Sequence, residues 1–329
     1  MKLICKCLTL CITAVFFTIF GCTCQIGQTT GKPAWPKQVK EIRYISSADS
    51  TEQPALFYAP KTENAVPLLV ALHTWSYDYT QKDSIPYAQW CIDNGWIFIH
   101  PNFRGPNNRP EATGSELVVA DIISAVDYAK ANAKVDSHRI YLVGASGGGY
   151  AALLMAGRTP DIWAGVSAWV PISDLKAWYF QCKDSNKVGY AENIVKSCGG
   201  TPGDSPQVDI QYKKRSPVTY FKKAVSVPLD INAGIQDGHT GSVPISHSLI
   251  AFNLVASEGD RISEEDIKYF VEKAQVPPHL KEQLPDTTYG KNIPLFRKTS
   301  GNARITIFDG GHEIVHPAAL TWLAKQKRQ

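Results

Sequence analysis

Residues 139–150 read Arg139-Ile140-Tyr141-Leu142-Val143-Gly144-Ala145-Ser146-Gly147-Gly148-Gly149-Tyr150. An apolar run, Arg139–Val143, enters a turn of small residues, and a helix-like segment, Gly148–Arg158, leaves it. A serine at the crest of a strand–turn–helix sits on a strained turn, so small residues are needed two places to either side. Gly144 and Gly148 supply them. The helix start behind Ser146 points backbone N–H groups toward any negative charge that develops there. Ser146 is therefore expected to act as a nucleophile. A Gly-rich turn without chemistry has the same composition, and the strand before it and the helix after it favour the first reading.

Outward from this turn, short apolar runs alternate with longer helix-like segments. Candidate strands are Glu41–Ser46, Ala55–Tyr58, Leu68–His73, Trp96–His100, Arg139–Val143, Gly165–Val170, Pro228–Ala233 and Arg304–Phe308. Candidate helices are Gly114–Asn132, Gly148–Arg158, Pro244–Ser257 and Pro317–Lys327, with residues 80–94 helical as well. Such alternation predicts an α/β class: an eight-stranded, mostly parallel sheet flanked by helices. Two stretches exceed the alternating unit, about 171–226 and 258–302. In the second, Ser263-Glu264-Glu265-Asp266 opens a helix and Pro277-Pro278 closes it. Insertions at the carboxyl edges of strands build the rim of a site, so both are expected to be rim or cap elements.

A serine hydroxyl needs a base within hydrogen-bond reach and a third group to orient that base. On a sheet of this kind the order along the chain is serine, acid, histidine. After the last strand the chain reads Asp309-Gly310-Gly311-His312, and His312 is the expected base. His316, at the start of the final helix, is its competitor. Pro228–Ala233 leads into Gly234-Ile235-Gln236-Asp237-Gly238-His239, and Asp237 is the expected acid. Asp174 and Asp230 are alternatives, and a loop Asp before Gly is also an ordinary turn residue. His239 is a further loop histidine, either solvated or near the substrate. The backbone N–H of Gly147 is one expected oxyanion donor. The second comes from the loop His73-Thr74-Trp75-Ser76-Tyr77, through the Trp75 N–H.

At this point the chain resembles the catalytic domain of the prolyl-oligopeptidase-type α/β hydrolases and their esterase relatives, from about Pro67 to its end. The resemblance rests on Pro101-Asn102-Phe103-Arg104-Gly105, on Asp121 to Tyr128, on the serine turn and Ser216-Pro217, on Val227-Pro228 and Val243-Pro244, and on Gly311-His312. It implies the α/β-hydrolase fold and a Ser146, Asp237, His312 triad. Two departures weigh against the family's peptidases. These usually carry a β-propeller ahead of this domain, for which the segment before residue 38 leaves no room. Their usual His-Gly-Gly is here His73-Thr74-Trp75. A lone secreted domain of this type is similar to bacterial carbohydrate esterases, including pectin methylesterases.

That resemblance implies an ester on a polysaccharide, either a methyl-esterified uronic acid or an acetylated sugar, as substrate. Aromatics cluster in the expected rim, at Trp75, Tyr77 and Tyr79 and again at Trp178, Tyr179 and Phe180. Trp178 is a candidate for stacking on a sugar, with core packing as the alternative. Arg104 and Arg109 are candidates for pairing with a substrate carboxylate through the planar guanidinium, and Arg104 equally for bracing its loop. The readings kept beside the esterase are an exopeptidase and a catalytically inactive glycan-binding lipoprotein.

Composition sets the remaining bounds. The chain has 329 residues, 44% hydrophobic and 19% charged, with a formal charge of +4. That is ordinary for a globular domain and too mild for nucleic acid. Residues 1–21 read as a signal peptide: Lys2 and Lys6 precede the apolar stretch Leu8–Phe20, which is short for a membrane span. Ile19-Phe20-Gly21-Cys22 resembles a lipoprotein cleavage box, with Cys22 as the lipidated residue, and a plain secretory signal is the alternative. Residues 22–37 would then be a tether and 38–329 the hydrolase domain. The expected location is outside the cytoplasm, in a periplasm or at a cell surface, with the membrane met only through the lipid. No cofactor and no metal is expected, since no Cys/His spacing suits zinc, and the protein is expected to be a monomer. Cys182 and Cys198 are close enough in the chain to pair as a disulfide in an oxidising compartment.

Overall fold

The computed structural model describes residues 34–328. The expected signal peptide, Cys22 and most of the tether lie outside the described residues. The strands are β1 Lys40–Ile45, β2 Glu52–Tyr58, β3 Val66–Leu72, β4 Ile97–Pro101, β5 Val135–Ala145, β6 Gly165–Trp169, β7 Leu229–Gly234, β8 Pro294–Ser300 and β9 Ala303–Phe308. The helices are α1 Ile85–Asn94, α2 Glu116–Asn132, α3 Gly147–Arg158, α4 Leu175–Lys183, α5 Val188–Cys198, α6 Pro206–Arg215, α7 Phe221–Ala224, α8 Ser246–Val255, α9 Glu264–Lys273 and α10 His316–Leu323.

The strands form one nine-stranded sheet in the order β1-β2-β4-β3-β5-β6-β7-β9-β8. From β4 to β9 neighbours run parallel, and β1, β2 and β8 join antiparallel at the edges. The expected sheet had eight strands. The ninth, β8, lies inside 258–302, so the end of that stretch belongs to the sheet and not to the rim. Its sequence, Pro-Leu-Phe-Arg-Lys-Thr-Ser, hides a strand because an edge strand buries only part of one face.

The central strands are apolar on both faces because helices cover both. In β3, Leu68, Val70 and Leu72 pack with α2, α3 and α8, while Leu69 and Ala71 pack with α1 and α10. In β5, Ile140 and Leu142 take the first side and Tyr141 and Val143 the second. This is the two-residue period of a strand, and it anchors the segment that carries Ser146. Ser115 caps α2 by accepting from the Val118 N–H, and Ser263 caps α9 by accepting from the Asp266 N–H. Each such cap contributes about 1 kcal/mol.

Strand order reverses between β3 and β5: the chain passes from β3 outward to β4, then returns past β3 to β5. Where adjacent crossovers leave in opposite directions, a crevice opens at the carboxyl ends of the strands. Trp75, after β3, and Ser146, after β5, flank that crevice.

Candidate active site

Ser146 has φ 56° and ψ −119°, a backbone region that side chains beyond glycine avoid and that is retained where surrounding structure enforces it. Its N–H donates to Trp169 O at 2.9 Å. The neighbouring glycines are dictated by space. A β-carbon on Gly144 would lie 2.4 Å from the Gly148 backbone, and one on Gly147 would lie 2.3 Å from Trp75 N. The turn is thus pressed directly against the loop after β3.

Ser146 Oγ lies 2.8 Å from His312 Nε2, and His312 Nδ1 lies 2.8 Å from Asp237 Oδ2. Asp237 is 2% exposed. Its other oxygen, Oδ1, accepts from the N–H groups of Gly238 at 3.0 Å and Val243 at 3.2 Å. This buried carboxylate thus has both oxygens engaged. It also fixes the Nδ1–H tautomer of His312, which leaves Nε2 as the acceptor facing Ser146.

The loop after β3 is fastened so that one N–H stays free. Thr74 N–H and Thr74 Oγ1 both donate to Gln81 Oε1, at 2.9 and 2.8 Å. Thr74 O lies 2.9 Å from Nδ1 of the buried His73, whose Nε2 lies 2.8 Å from Asn102 O and whose ring stacks on Phe103. Trp75 O accepts from the Asn107 N–H at 2.9 Å. With the Thr74 carbonyl turned toward His73, the trans peptide points the Trp75 N–H the other way, and among the described residues it has no acceptor. It adjoins the Gly147 N–H at the start of α3, an arrangement that suits a developing oxyanion.

The competing residues are structural. Asp174 caps α4, accepting from the N–H groups of Lys176 and Ala177. Asp230 is fully buried and pairs with Arg304 at 2.8 Å. His316 packs edge-on against Tyr87. His239 Nε2 lies 2.7 Å from Val271 O, away from Ser146.

The residues expected to meet substrate are placed differently. Arg104 is 8% exposed and spends its guanidinium on Asp121, Asp49 and Ser46 at 2.7 to 3.1 Å. It braces the loop, and no substrate carboxylate can displace two ion pairs cheaply. The Arg104 guanidinium, by its hydrogen bonds to Asp49, holds that carboxyl well below the usual carboxylate range. Arg109 is exposed, donates to Arg104 O, and lines a groove of about 440 Å³ with Glu52, Gln53, Pro54 and Asn102, at the β2 side of the sheet and not beside the triad. Trp178 is 1% exposed, packed edge-on against Trp75, and offers no face to a sugar. The Trp75 ring is likewise buried. Cys182 and Cys198 are both free, buried thiols, each pushed up to about 12 by burial. Among the described residues no group of His, Cys, Asp or Glu side chains has the arrangement of a metal site, and no helix is long and apolar enough to cross a membrane.

One neighbour of the triad has no sequence signal. Ser242 Oγ lies 3.2 Å from His312 Nε2, yet Ser242 reads as one more small loop residue.

Residues 82–267, more than half of the chain, match the prolyl oligopeptidase family; the matched span holds Ser146 and Asp237, and His312 follows it. Acylamino-acid-releasing enzyme 1 of Oryza sativa subsp. japonica is 25% identical over 61% of this chain and 27% of its own length. Dipeptidyl aminopeptidase BIII of Pseudoxanthomonas mexicana is 26% identical over 62% of this chain and 31% of its own. The chain thus spans about a third or less of the curated relatives it matches. Among solved structures, the Pyrococcus horikoshii acylaminoacyl peptidase superposes with a TM-score of 0.54 over 83% of this chain and 37% of its own, at 19% identity, a likeness of fold. With that family matched across its core and the α/β-hydrolase sheet beneath it, the chain belongs to the prolyl oligopeptidase family.

Proposed function

We propose that the protein is a peptidase-type acyl hydrolase that uses Ser146, His312 and Asp237 to cleave an acyl–amino acid or short peptide bond. The observation that carries this reading is the Ser146 Oγ–His312 Nε2 distance of 2.8 Å with Asp237 directly behind the ring. His312 Nε2 takes the Ser146 proton as Oγ attacks the carbonyl carbon. The Gly147 and Trp75 N–H groups receive the oxyanion, and Asp237 steadies the imidazolium. The imidazolium returns its proton to the leaving group, and water then hydrolyses the acyl-enzyme by the same route.

The choice of peptide over polysaccharide ester has two supports. The relatives matched are named as an acylamino-acid-releasing enzyme and a dipeptidyl aminopeptidase. The esterase reading, in turn, leaned on Arg104, Arg109 and Trp178; Arg104 and Trp178 are buried, and Arg109 lines a groove at the β2 side of the sheet. A ready hydrogen-bonded triad also weighs against an inactive glycan-binding lipoprotein. Export remains part of the proposal on the strength of residues 1–22, and fractionation of cells producing Cys22→Ala beside the parent tests the lipid anchor.

The test of function uses the protein and its Ser146→Ala variant. Both are treated with a fluorophosphonate probe, N-acyl-amino-acid and dipeptide p-nitroanilides, and methyl-esterified pectin. Labelling and p-nitroaniline release by the parent alone support the reading. Methanol from pectin without amide cleavage restores the polysaccharide ester, and no labelling sinks both.

A further inference from the structure

The loop after β7 carries a hydroxyl that the acyl-transfer steps leave unused, and an ammonium of the 171–226 insertion rests on the same loop. Residues 237–243 pass from Asp237 back across His312. At Gly241 a β-carbon would fall 2.1 Å from Asp237 Oδ1 and 2.6 Å from His312 Cβ, so this backbone lies against the dyad. The next residue, Ser242, sets its hydroxyl 3.2 Å from His312 Nε2. Two side chains of the 171–226 insertion grip the segment from outside. Trp178 Nε1 donates to Ser242 O at 3.0 Å, and the Lys187 ammonium donates to Gly241 O.

The position of Ser242 tells which side of the site this is. Nε2 is the atom that hands a proton to the departing group. Both Ser146 Oγ and the Ser242 hydroxyl stand within hydrogen-bond distance of it, at 2.8 and 3.2 Å. A leaving amine or alcohol that takes this proton comes within reach of Ser242, next to the backbone on which Lys187 rests.

An ammonium has three N–H donors and no acceptor. Gly241 O takes one from Lys187. Among the described residues no ion pair within 4.0 Å involves Lys187, whose side chain is half-buried. Asp237, the acid of this loop, has both oxygens engaged. A partly desolvated cation without a counter-ion favours an arriving anion.

We propose that Ser242 and Lys187 form the leaving-group subsite and that it takes a leaving group bearing a carboxylate. This rests on the serine-hydrolase reading above and adds its substrate class. The acyl–N or acyl–O bond breaks, the Nε2 proton passes to the departing atom, and the carboxylate is unchanged. On the peptidase reading such a carboxylate is the free C-terminus of a peptide, and the uronate of a glycan is an outcome of the test.

The experiment compares kcat/KM on matched pairs for the full chain, Lys187→Met and Lys187→Arg. The first pair is 4-acetoxybenzoate and 4-acetoxybenzamide, activated esters whose leaving groups differ by a carboxylate against an amide. The second is an N-acetyl dipeptide and its C-terminal amide. The third is acetylated glucuronoxylan and acetylated neutral xylan oligosaccharides. A charge-assisted hydrogen bond is worth about tenfold in affinity. The acid-to-amide ratio on the first pair is expected to fall about tenfold in Lys187→Met and to recover in Lys187→Arg. Whichever of the other pairs shows the same loss identifies the source. A ratio that Lys187→Met leaves unmoved, including an equal loss on both members, makes Lys187 a strap for Gly241 and overturns the subsite. Hydrolysis and fluorophosphonate labelling of the parent separate that failure from failure of the serine-hydrolase reading.

Discussion

The replacement Asp237→Asn isolates what the acid contributes, because the structure dictates how the new amide must sit. Asp237 Oδ1 accepts two backbone N–H groups, from Gly238 and Val243. An asparagine has one oxygen, and those donors hold it in the Oδ1 place. The reverse orientation would set an NH2 group against two N–H donors, at a loss of about 1–3 kcal/mol. The amide nitrogen therefore takes the Oδ2 place, 2.8 Å from His312 Nδ1 in the parent. It donates to Nδ1, so Nδ1 must be the bare nitrogen and the proton moves to Nε2. Nε2–H cannot accept from Ser146. The expected loss in kcat is about 10⁴-fold, equivalent to roughly 5.5 kcal/mol of barrier. Stability should hardly change, since size and backbone bonds are kept. The assay is kcat on a p-nitrophenyl ester, with the rate of fluorophosphonate labelling and a thermal melt alongside. A loss of less than tenfold with labelling at the parent's rate would refute the assignment of Asp237 and the tautomer argument together.

Three further outcomes are expected. Gly147→Ala puts a methyl 2.3 Å from Trp75 N and 2.5 Å from its Cα, which pushes one oxyanion donor away. The kcat should fall on the order of 10²–10³ with KM less affected, read by steady-state kinetics. Arg104→Met strands the fully buried Asp121 without its partner; unfolding free energy in urea should drop by about 3–5 kcal/mol, while KM of the surviving enzyme stays at the parent value. Burial lowers His73, takes His100 down to about 3 and His247 down to about 4. In each, the unfolded chain binds the proton first as pH falls below about 6.5, so stability is full above that value and is lost toward the folded values. His100 and His247 each contribute roughly 1.4 kcal/mol per pH unit in that window, and urea unfolding from pH 7 to 4.5 should show the slope, with a flat profile counting against it.

Much of this was legible in the chain because the constraints are local. The apolar runs of β3, β5, β6 and β7 announce strands covered on both faces, since burial on both sides leaves no place for polar residues. Gly144 and Gly148 around Ser146 announce a turn that admits no side chain. The loops holding Asp237 and His312 follow from their places after β7 and β9. The edge strand β8 escaped notice because one buried face leaves half its residues polar.

Other features depend on which distant residues meet. Nothing in Arg104 itself distinguishes a substrate arginine from a structural one. Its partners Asp49 and Asp121 stand 55 and 17 residues away, and only folding brings them to one guanidinium. Trp178 follows the same logic: an aromatic in an insertion stacks on ligand or on core according to the neighbours it finds, here Trp75 and Tyr190. The amino-acid sequence alone determined the apolar central strands and the turn at Ser146, because those follow from periodicity and the size of adjacent side chains. Tertiary structure alone decided the burial of Arg104 and Trp178, the approach of Ser242 to His312 and the place of Lys187. Each of these depends on partners brought in from elsewhere in the chain: Asp49 and Asp121 for Arg104, Trp75 for Trp178, His312 for Ser242 and Gly241 for Lys187.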